Sequence, residues 1–263
     1  MAKMKLGVNI DHVAVLREAR EVNDPDILQA LYVACEAGAD QITIHLREDR
    51  RHIQDIDVQN IMMFSKVPIN LECSINKDIL AIVAQNRPHR ATLVPEKRQE
   101  VTTEGGLDVV GLEDEVRYAI EYLHDAIIPV SLFVDPTIEA MEKSKELGAE
   151  MVELHTGHFA NLFAMLNSSL PYSNHSINEL ELPRYELASQ LEKSLTELKI
   201  AAKHAKKLGL EVAAGHGLNY HNVHEMMNIE EIVELNIGQS IIARSVFTGL
   251  KEAVIEMKKL TTR

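Results

Sequence analysis

The chain has 263 residues, of which 46% are hydrophobic and 25% charged, so its composition is that of a globular protein rather than a disordered one. Forty acidic residues against 27 basic ones give a formal net charge of −13, which argues against nucleic acid or an anionic membrane as a partner. The amino-terminal residues contain no apolar run of signal-peptide length, and no segment approaches the length of a membrane span. We therefore expect a cytoplasmic protein with a single domain over residues 1–263.

The motifs of the chain predict neither a metal site nor a redox cofactor. The two cysteines, Cys35 and Cys73, lie in apolar segments without the spacing of metal ligands, so we expect buried, reduced thiols. Twelve histidines are present, but the first predicted strand ends in Asp-His rather than His-x-His, and no HExxH occurs. His155 and His158 are the one local pair that could bind a metal. No GxGxxG follows a predicted strand.

Eight short runs rich in β-forming residues recur along the chain, and helical patterns separate them. Most are continuously apolar, as expected of parallel strands that are buried on both faces. The runs are residues 5–10, 41–45, 69–73, 90–94, 129–134, 151–155, 211–214 and 234–237. A spacing of about 33 residues is the size of one βα unit, so the pattern predicts a (β/α)8 TIM barrel. An open, doubly wound sheet is the alternative, because periodicity does not show closure.

The junctions between helices and strands repeat one motif. Residues 34–40, 144–150 and 206–211 each place a glycine just past a predicted helix, followed by an acidic residue and a strand. Glycine there accepts the left-handed conformation that ends a helix, so we expect three copies of one turn.

Two segments interrupt the alternation of predicted strands and helices. Residues 95–106 (PEKRQEVTTEGG) form a polar loop that we predict to be a lid, and residues 158–186 give no clear secondary structure.

Polar residues crowd the ends of the predicted strands, where active sites lie in α/β barrels. Glu72 lies within the apolar strand PINLEC, where burial would raise the pKa of its carboxyl, so it is a candidate general base. A carboxylate paired with a neighbouring Arg or Lys is the structural alternative. His45 ends the strand ITIH and is a candidate acid/base group, unless it is a hydrogen-bonded core histidine.

Two further patterns point to phosphate. The stretch HLREDRRH, residues 45–52, concentrates three arginines and two histidines, and arginine matches phosphate oxygens bidentately. A solvated charged face is the alternative, because Glu48 and Asp49 could neutralise part of this stretch. The glycine-containing loops GHG at 215–217 and NIGQS at 236–240 each follow a late strand and precede a helix. Loops after strands seven and eight are the usual phosphate site of such barrels.

Seven stretches of the sequence carry a resemblance to a known family. They are GVNIDHVAVLREAR, ITIHLREDRRHI, NLE, LVPEKRQEVTTEGGLDV, VELHTG, AAGHGLNYHNV and ELNIGQSIIARSVFTGL. In this order, and over nearly the whole chain, they resemble the pyridoxine 5′-phosphate synthase family, the ring-closing enzymes of one vitamin B6 pathway. The resemblance implies a (β/α)8 barrel with additional helices, and a homo-octamer. It also implies condensation of 3-amino-2-oxopropyl phosphate with 1-deoxy-D-xylulose 5-phosphate, giving pyridoxine 5′-phosphate, phosphate and water.

The resemblance also implies roles for individual residues. His45 and Glu72 would accept protons, His216 would donate one, and Glu153 would stabilise a transition state. The residues implied to bind the aminoketone phosphate are Asn9, Arg20, Gly217, Gly238 and Gln239. Those implied to hold the deoxyxylulose phosphate are Asp11, His12, Arg47, His52 and Thr102. Closing an aromatic ring needs several proton transfers, which agrees with two or three acid/base groups and with the lack of a cofactor.

This chain departs from the family pattern in two places. Position 239 is Gln where His is expected, and the segment after His158 is longer than in typical members. Gln can still donate a hydrogen bond, so the first departure affects detail rather than activity. The second could alter the mouth of the barrel or the contacts of the oligomer.

Two other functions use the same residues. A phosphosugar isomerase or epimerase on this scaffold would share the phosphate loops and the acid/base pair. A non-catalytic regulator that binds a phosphometabolite would need the same groups only as ligands. Turnover of either proposed substrate alone would favour the isomerase, whereas tight binding without product would favour the regulator.

Overall fold

The computed structural model of the protein describes residues 4–96 and 105–262. Its parallel strands close into one barrel in the order β1 to β8, and β8 returns to pair with β1. The strands are β1 (Lys5–Asn9), β2 (Gln41–His45), β3 (Ile69–Cys73), β4 (Arg90–Leu93), β5 (Val130–Val134), β6 (Met151–His155), β7 (Glu211–Gly215) and β8 (Glu234–Ile237). Every predicted strand is confirmed to within one residue at either end. The pairing of β1 with β8 excludes the doubly wound alternative.

Eleven helices surround the barrel in the described part of the chain. They are α1 (Asp11–Glu18), α2 (Ile27–Glu36), α3 (Asp55–Phe64), α4 (Lys77–Asn86), α5 (Glu113–Asp125), α6 (Ile138–Leu147), α7 (Gly157–Asn167), α8 (Arg184–Lys207), α9 (Val223–Met227), α10 (Gln239–Thr248) and α11 (Leu250–Leu260). Helices α1, α7 and α10 follow β1, β6 and β8 directly and come in addition to one helix per strand. They are the additional helices that the family resemblance implied. None of the described helices is both long and apolar enough to cross a bilayer.

The alternation along β1 shows how the barrel wall sorts its side chains. A Cβ added to Gly7 would lie 2.0 Å from Oδ1 of Asn236 on β8, so Gly7 faces the barrel interior. Its neighbours Leu6 and Val8 therefore face the surrounding helices, and both are fully buried. The apolar core lies between the barrel and the helices.

The barrel interior itself is polar. Arg90 of β4 donates hydrogen bonds of 3.3 Å to Glu234 of β8 and to Gln41 of β2. These strands are not neighbours, so the contacts cross the barrel. Branched apolar side chains usually fill this space. Here the ion pair of Arg90 and Glu234, with the amide of Gln41, occupies this space. Further polar side chains extend to the C-terminal end of the barrel, which we call the mouth.

The three predicted turns between helices and strands are confirmed. Gly38 and Gly148 have φ of 98°, and Gly209 has φ of 81°. These values lie in the left-handed region, which glycine enters without the steric penalty of a Cβ. Gly148 ends α6, and its amide donates to the last carbonyls of that helix. The shared sequence pattern therefore reflects a shared backbone conformation.

The segment 158–186, for which the sequence predicts no clear secondary structure, is largely ordered into helical turns. Helix α7 fills its first part, the 3-10 turns Leu170–Tyr172 and Asn178–Leu180 follow, and α8 begins at Arg184. Four apolar side chains from α7, the second turn and α8 form a small cluster, namely Leu162, Met165, Leu180 and Leu187. Helix α7 is apolar on most of its surface, so no contrast between a polar and an apolar face marks it in the sequence.

Candidate active site

A cavity of about 390 Å³ opens at the mouth of the barrel. Twelve of the fourteen predicted site residues line it. They are Asn9, Asp11, His12, His45, Arg47, His52, Glu72, Glu153, His216, Gly217, Gly238 and Gln239. They lie on, or directly after, six different strands, so closure of the barrel brings them together.

The remaining two predicted residues are Arg20 and Thr102. Arg20 is exposed in the turn after α1 and is not among the lining residues. Thr102 lies outside the described residues, as does most of the predicted lid at 95–106. Pro95 and Gly105, near the two ends of that loop, do line the cavity. The substrate contacts of Arg20 and Thr102 and the lid itself therefore remain predictions.

Asp11 links the first two strands at the mouth. Its backbone N–H donates to Oδ1 of Asn9 at 2.9 Å, and its Oδ2 accepts from Nδ2 of Asn9 at 2.8 Å. Its other oxygen, Oδ1, accepts the backbone N–H of His45 at 3.0 Å. The hydrogen bonds of Asn9 and Asp11 thus fix the end of β2, from which the His45 ring projects.

His45 pairs with a carboxylate that the sequence argument did not select. Its Nε2 lies 3.2 Å from Oε1 of Glu96, and Oε2 of Glu96 accepts the backbone N–H of Glu48 at 3.0 Å. Burial by itself favours the neutral form of Glu96, but these hydrogen bonds outweigh it and lower the pKa of Glu96 below its ordinary value. Because an ionised carboxylate only accepts, Nε2 of a neutral His45 carries the proton and Nδ1 is the basic nitrogen.

Glu153 is the most deeply buried carboxylate of the cavity, with 3% of its surface exposed. Burial raises the pKa of Glu153 to about 7, against the opposing effect of a 2.6 Å hydrogen bond from Nδ2 of Asn236. The same Asn236 amide lies 3.3 Å from Glu234, which pairs with Arg90. The sequence predicts a desolvated carboxylate at Glu72, but that side chain is only half-buried. The prediction applies with more force to Glu153, because that side chain lies in the barrel interior.

A second histidine and carboxylate pair lies on the opposite wall. Nδ1 of His155 is 3.2 Å from Oδ1 of Asp135, and the ring of His155 packs edge to face against His216 with centroids 4.9 Å apart. The same Asp135 oxygen accepts the backbone N–H of Gly106 at 3.0 Å. No cluster of three or more potential metal ligands occurs among the described residues, so the pair of His155 and His158 gains no third ligand there.

The backbone around His216 is held in an uncommon conformation. His216 and Gly217 have φ of 76° and 83°, a region that non-glycine residues rarely occupy. The hydroxyl of Thr156 donates to the carbonyl oxygens of Gly215 and His216 at 2.7 and 2.6 Å, which fixes this turn. A Cβ on Gly217 would come within 2.6 Å of Ala160 on α7. Such strain is typical of functional positions.

The loop after β8 leads directly into a helix that points its amino terminus at the cavity. Helix α10 begins at Gln239, and both Gln239 and Ser240 line the cavity. The first amides of a helix lack partners within it and favour an anion at that end. Gly238 is needed here because a Cβ would lie 2.8 Å from Asn9. The arrangement suits one phosphate group.

The three arginines of the stretch 45–52 do not act together. Arg47 is buried and lines the cavity. Arg50 pairs with Asp55 at 2.9 Å, and Arg51 pairs with Asp49 at 2.5 Å. Nε of Arg47 also lies 3.5 Å from Oδ1 of Asp49, so local acidic residues lie beside all three guanidinium groups. Phosphate binding by this stretch stays a prediction.

Comparison with known proteins places this geometry in a family. The family model described as pyridoxal phosphate biosynthesis protein PdxJ matches residues 6–263. The chain belongs to the PdxJ family. A pyridoxine 5′-phosphate synthase from Sulfurimonas denitrificans is 78% identical over 260 residues, 99% of this chain and 100% of the relative. The synthase from Aliarcobacter butzleri is 61% identical over 257 residues, 98% of each chain.

Solved structures resemble this member of the PdxJ family in fold alone. Phosphoribosyl anthranilate isomerase from Thermus thermophilus has a TM-score of 0.55 at 13% identity, covering 98% of both chains. Tryptophan synthase from M. tuberculosis has a TM-score of 0.61 at 9% identity, covering 100% of this chain and 93% of the other. At such low identity the likeness supports the barrel and says nothing about chemistry.

The sequence argument for this PdxJ family member missed two carboxylates, Glu96 and Asp135. Both directly follow the last apolar residues of a strand, Glu96 soon after β4 and Asp135 immediately after β5. The predicted site residues come from the ends of β1, β2, β3, β6, β7 and β8. Polar residues at the ends of β4 and β5 meet the same criterion, and these are Glu96 and Asp135.

Proposed function

We propose that this enzyme is a pyridoxine 5′-phosphate synthase that condenses 3-amino-2-oxopropyl phosphate with 1-deoxy-D-xylulose 5-phosphate. Ring closure releases phosphate and water and proceeds by general acid/base catalysis without a cofactor. The observation that carries the proposal is the set of His45, Glu72, Glu153 and His216 around one cavity. Several separate proton transfers need several acid/base groups within reach of one substrate. The Sulfurimonas and Aliarcobacter relatives are named pyridoxine 5′-phosphate synthases, which supports the synthase activity.

The proposed roles follow the chemistry of each group. His45 and Glu72 lie on adjacent strands in register and act as proton acceptors. Glu96 keeps Nδ1 of His45 as the basic nitrogen. His216 on the opposite wall donates a proton to a leaving oxygen. Glu153, with a pKa of about 7, supplies a neutral or an ionised carboxyl at physiological pH and stabilises charge that develops in the transition state.

The two substrates bring two phosphate groups, and the cavity offers two places for them. Arg47 and His52 serve the deoxyxylulose phosphate at the end of β2, where Arg47 supplies a fixed positive charge. Gly217, Gly238 and the start of α10 serve the aminoketone phosphate at the ends of β7 and β8 through backbone amides. Condensation then takes place between them, over the acid/base groups.

A coupled assay tests the proposed reaction. The purified protein is given both substrates, and pyridoxine 5′-phosphate is measured by mass spectrometry together with released phosphate. We expect both products in equal amounts only when both substrates are present. Turnover of either substrate alone would point to the isomerase, and binding of either without product would point to the regulator.

We further propose a cytoplasmic homo-octamer. Free thiols at Cys35 and Cys73 are in keeping with a reducing compartment. Large apolar side chains on α1 and α10 are exposed, among them Leu16 and Phe247, the latter with 89% of its surface in contact with solvent. Such exposure is typical of surfaces that associate. Light scattering after size-exclusion chromatography should give a mass of eight chains, and Phe247→Ser should reduce it, whereas a monomeric parent would contradict the proposal.

A further inference from the structure

His155 is a buried histidine of the cavity wall to which none of the proposed roles belongs. It ends β6, and only 6% of its surface is exposed. Its ring lies between two others, with centroids 5.0 Å from Phe133 and 4.9 Å from His216, both in edge-to-face contact. It therefore directly contacts the proposed proton donor.

The two ring nitrogens of His155 have different surroundings. Nδ1 lies 3.2 Å from Oδ1 of Asp135, whereas Nε2 is buried without a hydrogen-bond partner among the residues that the structure describes. Asp135 is itself held by the backbone N–H of Gly106. Buried polar atoms in folded proteins are nearly always paired, so an unpaired ring nitrogen in a cavity wall calls for a functional explanation.

The pairing with Asp135 determines which nitrogen of His155 carries the proton. A carboxylate only accepts hydrogen bonds, so a neutral His155 is protonated at Nδ1 and bears a lone pair at Nε2. The Asp135 carboxylate adds a negative charge on the far side of the ring, which favours the protonated form of His216.

We propose that His155, held by Asp135 as the Nδ1–H tautomer, is a positioning residue for His216. It packs against the imidazole of His216 on a backbone that is already fixed in the left-handed region. The negative charge of Asp135 beyond it favours the protonated form that His216 needs as a donor. The inference rests on the proposed function, which makes His216 the donor.

Other charged groups also face His216, and the test leaves them unchanged. Glu153 is the nearest of these by strand position, since its Oε1 lies where a Cβ of Gly215 would be. The other titratable and charged groups lining the cavity are Asp11, His12, His45, Arg47, His52 and Glu72. His158 on α7 is exposed. The tests therefore change only Asp135 and His155 and keep these other groups as they are.

The first test measures the tautomer directly and needs no activity. Protein labelled with ¹⁵N-histidine is examined by long-range ¹H–¹⁵N correlation NMR, with His155 assigned from the spectrum of His155→Gln. At a pH where His155 is neutral, we expect its proton on Nδ1. In Asp135→Asn the proton should lie on Nε2, because an amide N–H then donates to Nδ1. An Nε2–H tautomer in the parent protein would overturn the inference.

The second test follows kcat/KM against pH for Asp135→Asn and His155→Phe. The basic limb reports the loss of protonated donor, so we expect it to move to lower pH by about 1 unit in Asp135→Asn, with little change in KM. His155→Gln should recover part of the loss seen in His155→Phe. The matched control is Glu142→Gln, which removes the carboxylate from an outlying histidine pair with the same 3.2 Å separation.

The outcomes separate this inference from the proposed function. If the parent forms product and Asp135→Asn keeps the parent pH profile, the positioning role is wrong while the synthase activity stands. If the parent forms no product, the proposed function fails, and the NMR experiment still decides the tautomer of His155.

Discussion

Two walls of the cavity carry the same chemical pair in different surroundings. On the β2 wall His45 faces Glu96, and on the β6 wall His155 faces Asp135, each at 3.2 Å. The Glu96 side chain is 8% exposed, whereas that of Asp135 is 51% exposed. Water screens an exposed charge, so a carboxylate affects its histidine more strongly when it is buried. Burial, rather than distance, distinguishes the two pairs.

The difference matches the division of roles that we propose. The β2 and β3 wall combines His45, Glu72 and the ionised Glu96, which suits proton acceptance. The β6 and β7 wall presents His216 beside His155 and the half-exposed carboxylate of Asp135, and we assign proton donation to it. The predictions below test this division, starting with the largest effect.

Glu72→Gln should reduce turnover by about 10²–10⁴, the range for one positioned acid/base group. The substitution keeps the size of the side chain but removes the carboxylate that accepts the proton. Steady-state rates with both substrates measure the effect, and the acidic limb of the pH–rate profile should change. Circular dichroism and calorimetric binding should match the parent. Turnover close to that of the parent in a folded variant would make Glu72 structural.

Glu96→Gln should lower kcat by about ten- to a hundredfold, because a hydrogen bond to a charged group is worth about 1.5–3 kcal/mol. Asp135→Asn should lower kcat less, since its carboxylate is half exposed. Parallel kinetic assays of the two variants compare the walls directly. A larger loss in Asp135→Asn than in Glu96→Gln would show that burial does not rank the two pairs.

Arg47→Ala should raise the KM for the deoxyxylulose phosphate by about tenfold or more, since a charged hydrogen bond to phosphate is worth about 1.5–3 kcal/mol. Arg117→Ala is the matched control, because Arg117 lies on α5 and pairs with Glu113 at 2.8 Å, away from the cavity. The KM of Arg117→Ala should equal that of the parent. Equal KM values for the two variants would remove Arg47 from the phosphate site.

Glu153→Gln should stabilise the fold at high pH by about 1–2 kcal/mol, the smallest effect of the series. Burial raises the pKa of Glu153 from 4.5 to about 7, so its contribution to stability is fully present below pH 4.5 and is lost as the pH rises through about 7. The amide cannot ionise, so the variant should exceed the parent in urea denaturation at pH 8. A difference of equal size at pH 4.5 would contradict this origin.

Local sequence patterns were sufficient to predict most of the fold. Apolar runs bounded by polar residues located every strand, and the three helix-ending glycines located their turns, because strand burial and left-handed φ are set by a few consecutive residues. Helix α7 was missed, since an apolar helix within a polar segment lacks the periodicity on which such predictions rely. The seven stretches that carry the family resemblance likewise identified twelve residues that line the cavity.

The sequence by itself thus determined the strands, their turns, and which polar residues reach the mouth of the barrel. Only the tertiary structure decided that β1 closes onto β8, which depends on hydrogen bonds between residues at opposite ends of the chain. It also decided that Glu153 is almost fully buried whereas Glu72 is half-buried, and that Glu96 and Asp135 are the partners of two histidines. Burial and pairing are properties of three-dimensional neighbours, and no local pattern encodes them.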